Sequence, residues 1–262
     1  MKVSRNFDLV DFRLEQDPES LVVSGKRGGK WYHFNAKEYK EAIDRLSYGL
    51  LQLGFEKGDK AAIISFNRPE WNLADFAVSQ LGGITVPMYP TASKEDFAYI
   101  LQDAEVKVVF VESHEFAEKL MAVKSEVPSL SHFFSFESTE GCRPLSELMD
   151  LGERNPAPGI VQGRKDSVKP EDLLTLIYTS GTTGRPKGVM LSHNNILSNV
   201  NSSAEVFPMF RNKTVLSFLP LCHIFERMVG YLYHRLEASI YYAESMDTIA
   251  DNLKEVQPYA FT

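Results

Sequence analysis

The sequence predicts an α/β fold in which largely parallel sheets are flanked by helices. Short β-rich apolar runs alternate with helical stretches between residues 60 and 151. The run at 106–112 is apolar on both faces, as a strand covered on both sides must be. Caps and glycines punctuate the helical stretches at both ends.

Residues 1–34 read as a lead-in. Residues 21–24 (LVVS), a Gly/Lys turn over 25–30 and residues 31–34 (WYHF) form a hairpin. Asn35 caps a helix, and Glu38 completes a capping box. Tyr39, Ile43, Leu46, Leu50 and Leu53 make its buried stripe, and Gly54 ends it. Residues 60–66 are a strand. Asn67-Arg68-Pro69 turns into a helix that stops at Gly82-Gly83, and 84–89 is extended. Ser93 and Asp96 frame a helix to about Asp103. After the strand at 106–112 come a helix (115–126), a strand (132–136) and a short helix (145–151). Residues 152–170, rich in Gly, Pro and charge, read as a connector suited to separating two subdomains. Beyond it the expected elements are a strand at 173–178, a helix at 193–206 and a strand at 214–219. A helix at 224–236, a strand at 239–242 and a helix at 246–256 follow.

Composition narrows the function. A length of 262 residues allows one or two domains. Apolar content of 44% and charged content of 24% are ordinary for a globular protein and exclude a disordered one. The net charge of −7 and the lack of a basic tract argue against nucleic acid. Residues 1–150 hold 17 Lys/Arg against 24 Asp/Glu, and residues 151–262 hold 11 against 11. The C-terminal half therefore escapes the acidity, as an anion site prefers. Cys142 and Cys222 lie far apart without metal-ligand spacing. Two reduced thiols fit a cytoplasmic protein. The N-terminus has no apolar core of the signal-peptide kind, and no apolar run reaches the length of a membrane span.

The stretch at 173–193, LLTLIYTSGTTGRPKGVMLSH, organises the chain. A strand leads into Thr179, Ser180, Gly181, Thr182, Thr183 and Gly184, then Arg185, Pro186 and Lys187. Glycines let backbone N–H groups approach phosphate oxygens, and concave runs of N–H bind anions. The hydroxyls add donors and can ligate Mg²⁺. Lys187 supplies a point charge. The string is not a Walker A loop, because Pro186 replaces its second glycine and Gly188 its Ser/Thr. A Gly/Thr-rich surface turn would account for three such residues more simply than for twelve.

YTSGTTGRPKGV, residues 178–189, resembles the signature loop of the AMP-forming acyl-CoA synthetases, the adenylate-forming ligases. The resemblance implies a loop that grips the ATP β- and γ-phosphates. Ser180, Thr182, Thr183 and Lys187 contact phosphate in that pattern, with Thr179, Gly181 and Gly184 completing the loop and Thr182 beside Mg²⁺.

LPLCHIFER, residues 219–227, follows a strand and opens a helix. A lone histidine there is ordinarily a capping or packing residue. The string nevertheless resembles the family's second motif, in the form closest to the long-chain fatty acyl branch. That likeness assigns His223 to orienting the carboxylate and supporting charge as acyl-adenylate forms. The plain alternative is that His223 caps the helix while Glu226 and Arg227 pair. ITVPMYPTAS, residues 84–93, is similar to the family's early scaffold motif.

By resemblance, a fatty acid carboxylate attacks the ATP α-phosphate, and coenzyme A thiol then displaces AMP. The cofactors implied are ATP and Mg²⁺, with coenzyme A as co-substrate. The family's later Mg²⁺-holding glutamate, ribose-binding aspartate and C-terminal-domain lysine have no counterpart within residues 1–262. These residues are therefore expected to be the N-terminal part of the large AMP-binding domain and inactive alone. Two alternatives stay open: adenylation of another carboxylate, such as an amino or aryl acid, and a non-catalytic nucleotide-binding module. A long acyl substrate also leaves peripheral contact with the inner face of a membrane open, although residues 1–34 hold no basic amphipathic anchor.

Overall fold

A computed structural model describes residues 3–137, 139, 141–179 and 185–262. In chain order, α1 (Asp8–Gln16) precedes the hairpin of β1 (Leu21–Arg27) and β2 (Lys30–Asn35). Then follow α2 (Ala36–Gln52), β3 (Lys60–Ile64), α3 (Pro69–Gln80), β4 (Ile84–Met88), α4 (Lys94–Asp103), β5 (Val106–Val111) and α5 (His114–Val123). Next come β6 (His132–Ser135), β7 (Arg143–Pro144), α6 (Leu145–Arg154), α7 (Pro158–Ser167), β8 (Leu173–Thr179) and β9 (Lys187–Ser192). The chain continues with α8 (His193–Val206), β10 (Thr214–Ser217), α9 (Ile224–Arg235), β11 (Ser239–Tyr242), α10 (Ile249–Val256) and β12 (Ala260–Phe261).

Two compact units result. One comprises residues 1–42, 67–73 and 193–262, the other residues 43–66 and 74–192. The first is built on a five-stranded sheet of order β12-β10-β11-β1-β2, parallel except for β2. The β1–β2 turn is Gly28-Gly29, with φ +55° and +75°, a two-residue connection that only φ > 0 residues make comfortably. The second unit is built on a seven-stranded sheet of order β7-β6-β5-β3-β4-β8-β9, parallel except for β9. On one face Ala62, Ile64, Val86, Met88, Val109 and Val111 pack on helices α4 and α5. The alternate residues Ala61, Ile63, Val108 and Phe110 are buried too, so both faces of the inner strands are covered. The expected α/β class with largely parallel sheets flanked by helices is thus the one observed.

The local signals hold where they are chemical. Asn35 and Glu38 form the expected capping box, each side chain accepting from the other's backbone N–H at 2.8 and 3.0 Å. The Ser93 hydroxyl accepts from Asp96 N at 3.1 Å and caps α4. Two expectations need correction. The lead-in contains α1, whose weak amphipathicity hid it. Asp8 opens this helix by accepting from the backbone N–H groups of Ser4 and Arg5. The 152–170 stretch holds α7, started by Pro158 with its φ set for a helix, and lies wholly within the seven-stranded unit. The chain crosses between units at 42/43, 66/67, 73/74 and 192/193 instead.

In the five-stranded unit, Glu70 accepts from Arg27 at 2.9 Å, Arg68 at 2.9 Å and Tyr32 at 2.8 Å. Burial raises its carboxyl, but the Arg68 charge and these hydrogen bonds outweigh burial and hold it below the usual carboxylate range. A depressed folded-state value contributes stability above the unfolded pKa, which is lost as pH falls through the folded one. Glu70→Gln should therefore flatten the acid limb of a stability-versus-pH curve, measured by denaturant unfolding; an unaltered limb would count against the cluster.

In the seven-stranded unit, α2 and α6 meet through two glycines. A Cβ on Gly152 would lie 1.9 Å from the Arg45 carbonyl oxygen, and one on Gly49 2.3 Å from that of Leu148. A Cβ on Gly163, at an exposed position of α7, would meet nothing within 4 Å. Gly152→Ala should destabilise by about 1–3 kcal/mol through overpacking. Gly163→Ala should stabilise by about 0.5–1 kcal/mol through helix propensity. Urea midpoints of the two variants must move in opposite directions.

Candidate functional site

The phosphate-loop candidate lies in the seven-stranded unit. β8 runs parallel to β4 at Thr85↔Thr175, so the loop leaves its C-terminal end, where open α/β sheets place ligands. The following segment returns as β9 and makes a hairpin, with Tyr178 opposite Gly188 and Thr179 opposite Lys187. The sequence expectations included no antiparallel return here. Thr179 and Lys187 are thus brought together, both exposed, at the two stems of the loop. Ser180, Gly181, Thr182, Thr183 and Gly184 lie outside the described residues, and with them the proposed Mg²⁺ contact of Thr182. Among the described residues no group of three His, Cys, Asp or Glu side chains is placed to hold a metal.

The stems are tied down by groups the sequence did not advertise. The Tyr178 hydroxyl donates to Asp103 Oδ2 at 2.6 Å. Burial first, then Asp103, push that hydroxyl above the usual phenol range. A Cβ on Gly188 would lie 3.1 Å from Tyr178 Cζ, so glycine lets the ring lie across the hairpin. The Arg185 guanidinium stands 5.4 Å from the Tyr99 ring centroid. At the neighbouring strand ends, Glu112 Oε2 accepts from Phe66 N at 2.6 Å and from the Ser65 hydroxyl at 3.1 Å.

His223 belongs to the five-stranded unit, on the turn between β10 and α9. It is exposed and is the N-cap of α9: Nδ1 accepts from Phe225 N at 3.2 Å. This leaves the proton of the neutral ring on Nε2, a donor for an oxyanion. Capping and the proposed role therefore coexist on different nitrogens. Glu226 is buried, and its Oε1 accepts from Ser217 at 2.5 Å and Thr262 at 2.8 Å. Burial raises its carboxyl, while these two hydrogen bonds pull it down. Arg227 donates from Nε to the Tyr231 hydroxyl at 3.0 Å, with its guanidinium 5.5 Å from the Trp71 ring. Asn67 spans the turn: its Oδ1 accepts from Leu221 N at 2.9 Å and its Nδ2 donates to the Leu219 carbonyl at 2.7 Å. In the sequence Asn67 reads only as a turn residue, and nothing there links it to residues 150 positions on.

Charge distribution corrects one expectation. Counted by unit, the seven-stranded one carries 14 Lys/Arg against 20 Asp/Glu and the five-stranded one 14 against 15. The loop sits in the acidic unit, because the units do not follow halves of the chain. No helix among the described residues is long and apolar enough to cross a membrane.

Comparison with known proteins agrees with this architecture. A long-chain-fatty-acid–CoA ligase of Xenopus laevis is 32% identical over 254 residues, covering 92% of this chain and 34% of that protein. Fatty acyl-CoA synthetase A of Dictyostelium discoideum is 35% identical over 251 residues, covering 86% of this chain and 36% of that protein. The chain spans about a third of the length of these relatives. A long-chain-fatty-acid-CoA ligase from Archaeoglobus fulgidus superposes with a TM-score of 0.81 at 22% identity, covering 98% of this chain and 50% of that one. ATP-bound MatB from Rhodopseudomonas palustris gives 0.77 at 22%, covering 97% and 48%. At those identities the two structures speak to the fold alone. The family described as AMP-binding enzyme matches residues 10–262, nearly the whole chain, and the chain belongs to that family.

Proposed function

We propose that the protein uses ATP to activate a long-chain fatty acid, forming acyl-adenylate and pyrophosphate, and then transfers the acyl group to coenzyme A with release of AMP. The observation that carries this reading is the hairpin loop at the C-terminal end of β8, with hydroxyl-bearing Thr179 opposite Lys187. The names of the relatives, fatty acyl ligases at 32% and 35% identity, support the substrate class.

In this reading Lys187 neutralises phosphate charge, and the 179–184 segment contributes hydroxyl and backbone donors. The Thr182 hydroxyl would help hold Mg²⁺, which would supply further neutralisation of the triphosphate. His223 donates from Nε2 to the carboxylate or the forming phosphoryl oxyanion. The first step needs in-line placement and charge neutralisation more than covalent help from the protein. Residues 1–262 act as the N-terminal part of the large domain and do not complete the reaction alone. The free thiols Cys142 and Cys222 support a cytoplasmic setting, and the acyl substrate a peripheral encounter with a membrane.

Carboxylate-dependent ATP–pyrophosphate exchange tests this on the natural gene product, with palmitate, octanoate, acetate and amino acids as candidate acids. Palmitate should drive exchange, and residues 1–262 alone should not. Exchange with another acid only would replace the substrate; none with any acid, in folded protein, would remove the activity. Lys187→Ala should lower ATP use roughly 10–100-fold, the worth of one charge-assisted hydrogen bond. His223→Ala should lower adenylation by about 10²-fold, the cost of one oxyanion donor. Asn67→Ala should lower it less, with the unfolding midpoint reporting the part due to lost stability. Unchanged kinetics in Lys187→Ala or His223→Ala would remove that residue from its role.

A further inference from the structure

Helix α4 presents two residues one turn apart, Tyr99 and Asp103, and each meets a different arm of the loop hairpin. Asp103 accepts the Tyr178 hydroxyl at 2.6 Å, just before the loop, and Tyr99 lies under the Arg185 guanidinium just after it. The helix is itself immobilised. Phe97, Ala98, Ile100 and Leu101 are buried in the core, and Ser93 caps its first turn. On β8, Leu176 and Tyr178 point to one face and pack against that same core.

A ring that only filled space would not need a short hydroxyl–carboxylate hydrogen bond at its tip. An arginine serving as a phosphate ligand would not need an aromatic surface on the protein side. We propose that Tyr99 and Asp103 are positioning residues for ATP: α4 anchors both stems of the phosphate loop, and Arg185 is a tether rather than a phosphate ligand. This deepens the ATP-use reading and rests on it for its kinetic consequence, while the anchoring itself does not. Lys187 then remains the cation available to the nucleotide from these stems.

Two measurements on the whole protein test the proposal. The first is hydrogen exchange of the stem peptides covering residues 173–179 and 185–192, without nucleotide. Asp103→Asn, Tyr178→Phe and Tyr99→Leu should each speed exchange there about tenfold, the worth of roughly 1.4 kcal/mol, and leave α4 and β5 peptides unchanged. Tyr178→Phe and Asp103→Asn should be non-additive, as should Arg185→Ala and Tyr99→Leu. The second measurement is steady-state kinetics. The apparent KM for ATP should rise about five- to tenfold with the fatty acid KM and kcat within about twofold, and Asp103→Glu should recover part of the loss. A merely structural role would lower kcat through lost folded enzyme and leave both KM values alone. Unchanged exchange, additive pairs or an unchanged ATP KM would each overturn the proposal. Wild-type protein that uses no ATP would overturn the ATP role and the functional reading, while exchange alone would still decide the anchoring.

Discussion

The pairing of β8 is the constraint on which the candidate phosphate loop depends. One edge of this strand is parallel to β4 and the other antiparallel to β9, so it is the strand at which the seven-stranded sheet changes direction. Its register is fixed by buried polar contacts as well as by apolar ones. Thr175 donates to the Thr85 carbonyl at 2.6 Å, and the Thr85 hydroxyl donates to Asp75 at 2.8 Å. All three residues are buried, where an unmade hydrogen bond costs about 1–3 kcal/mol. A slip of one residue would break this column and turn Leu176 and Tyr178 away from the core they pack on. The register that pairs Thr179 with Lys187 is thus set several residues below the loop.

The five-stranded unit solves the same problem with side chains. The turn after β10 carries Leu219, Pro220, Leu221 and His223, and a turn has few backbone partners of its own. Asn67 supplies them, accepting from one backbone N–H of the turn and donating to one of its carbonyls. Glu226 closes the base by accepting from Ser217 at the end of β10. The backbone of Phe218 also donates to the Thr262 carbonyl at 2.8 Å. His223 can then spend Nδ1 on the helix N-cap without losing its other nitrogen. A residue that looks merely structural by its hydrogen bond is, in this arrangement, held in a defined tautomer by it.

Most of the fold was legible in the sequence because its signals are local. The strand at 239–242 and the helix at 193–206 match their observed bounds, and the Asn35/Glu38 box and the Ser93 cap are present as read. The misses have one cause, the lack of a local signature. α1 hides because Asp8, Leu9, Val10, Phe12 and Arg13 are all buried, which blurs the apolar stripe a surface helix shows. The segment at 152–170 reads as a linker by composition, yet Val161 and Lys165 bury and make it part of a unit. The candidate site divides the same way. Thr179, Lys187 and His223 are candidates named by their strings, whereas Asn67, Tyr99 and Asp103 contact residues far along the chain. No spacing rule reaches them.

The charge count shows how a correct composition can support a wrong inference. Halves of a sequence are not parts of a molecule when the chain crosses between units four times. Placed in space, the loop belongs to the unit with the larger acidic excess. A long-range field that draws anions is therefore no argument for an anion site at this loop. At physiological ionic strength, charges more than about 8 Å apart are largely screened, so an excess spread over a unit weighs little at one loop. Any preference of such a loop for an anion must be local, set by the geometry of its donors and of Lys187 rather than by net charge. A loop that works by contact must have its ends held. That requirement would make the attachment of Tyr178 and Arg185 to one helix physically intelligible, since it holds both stems of the hairpin.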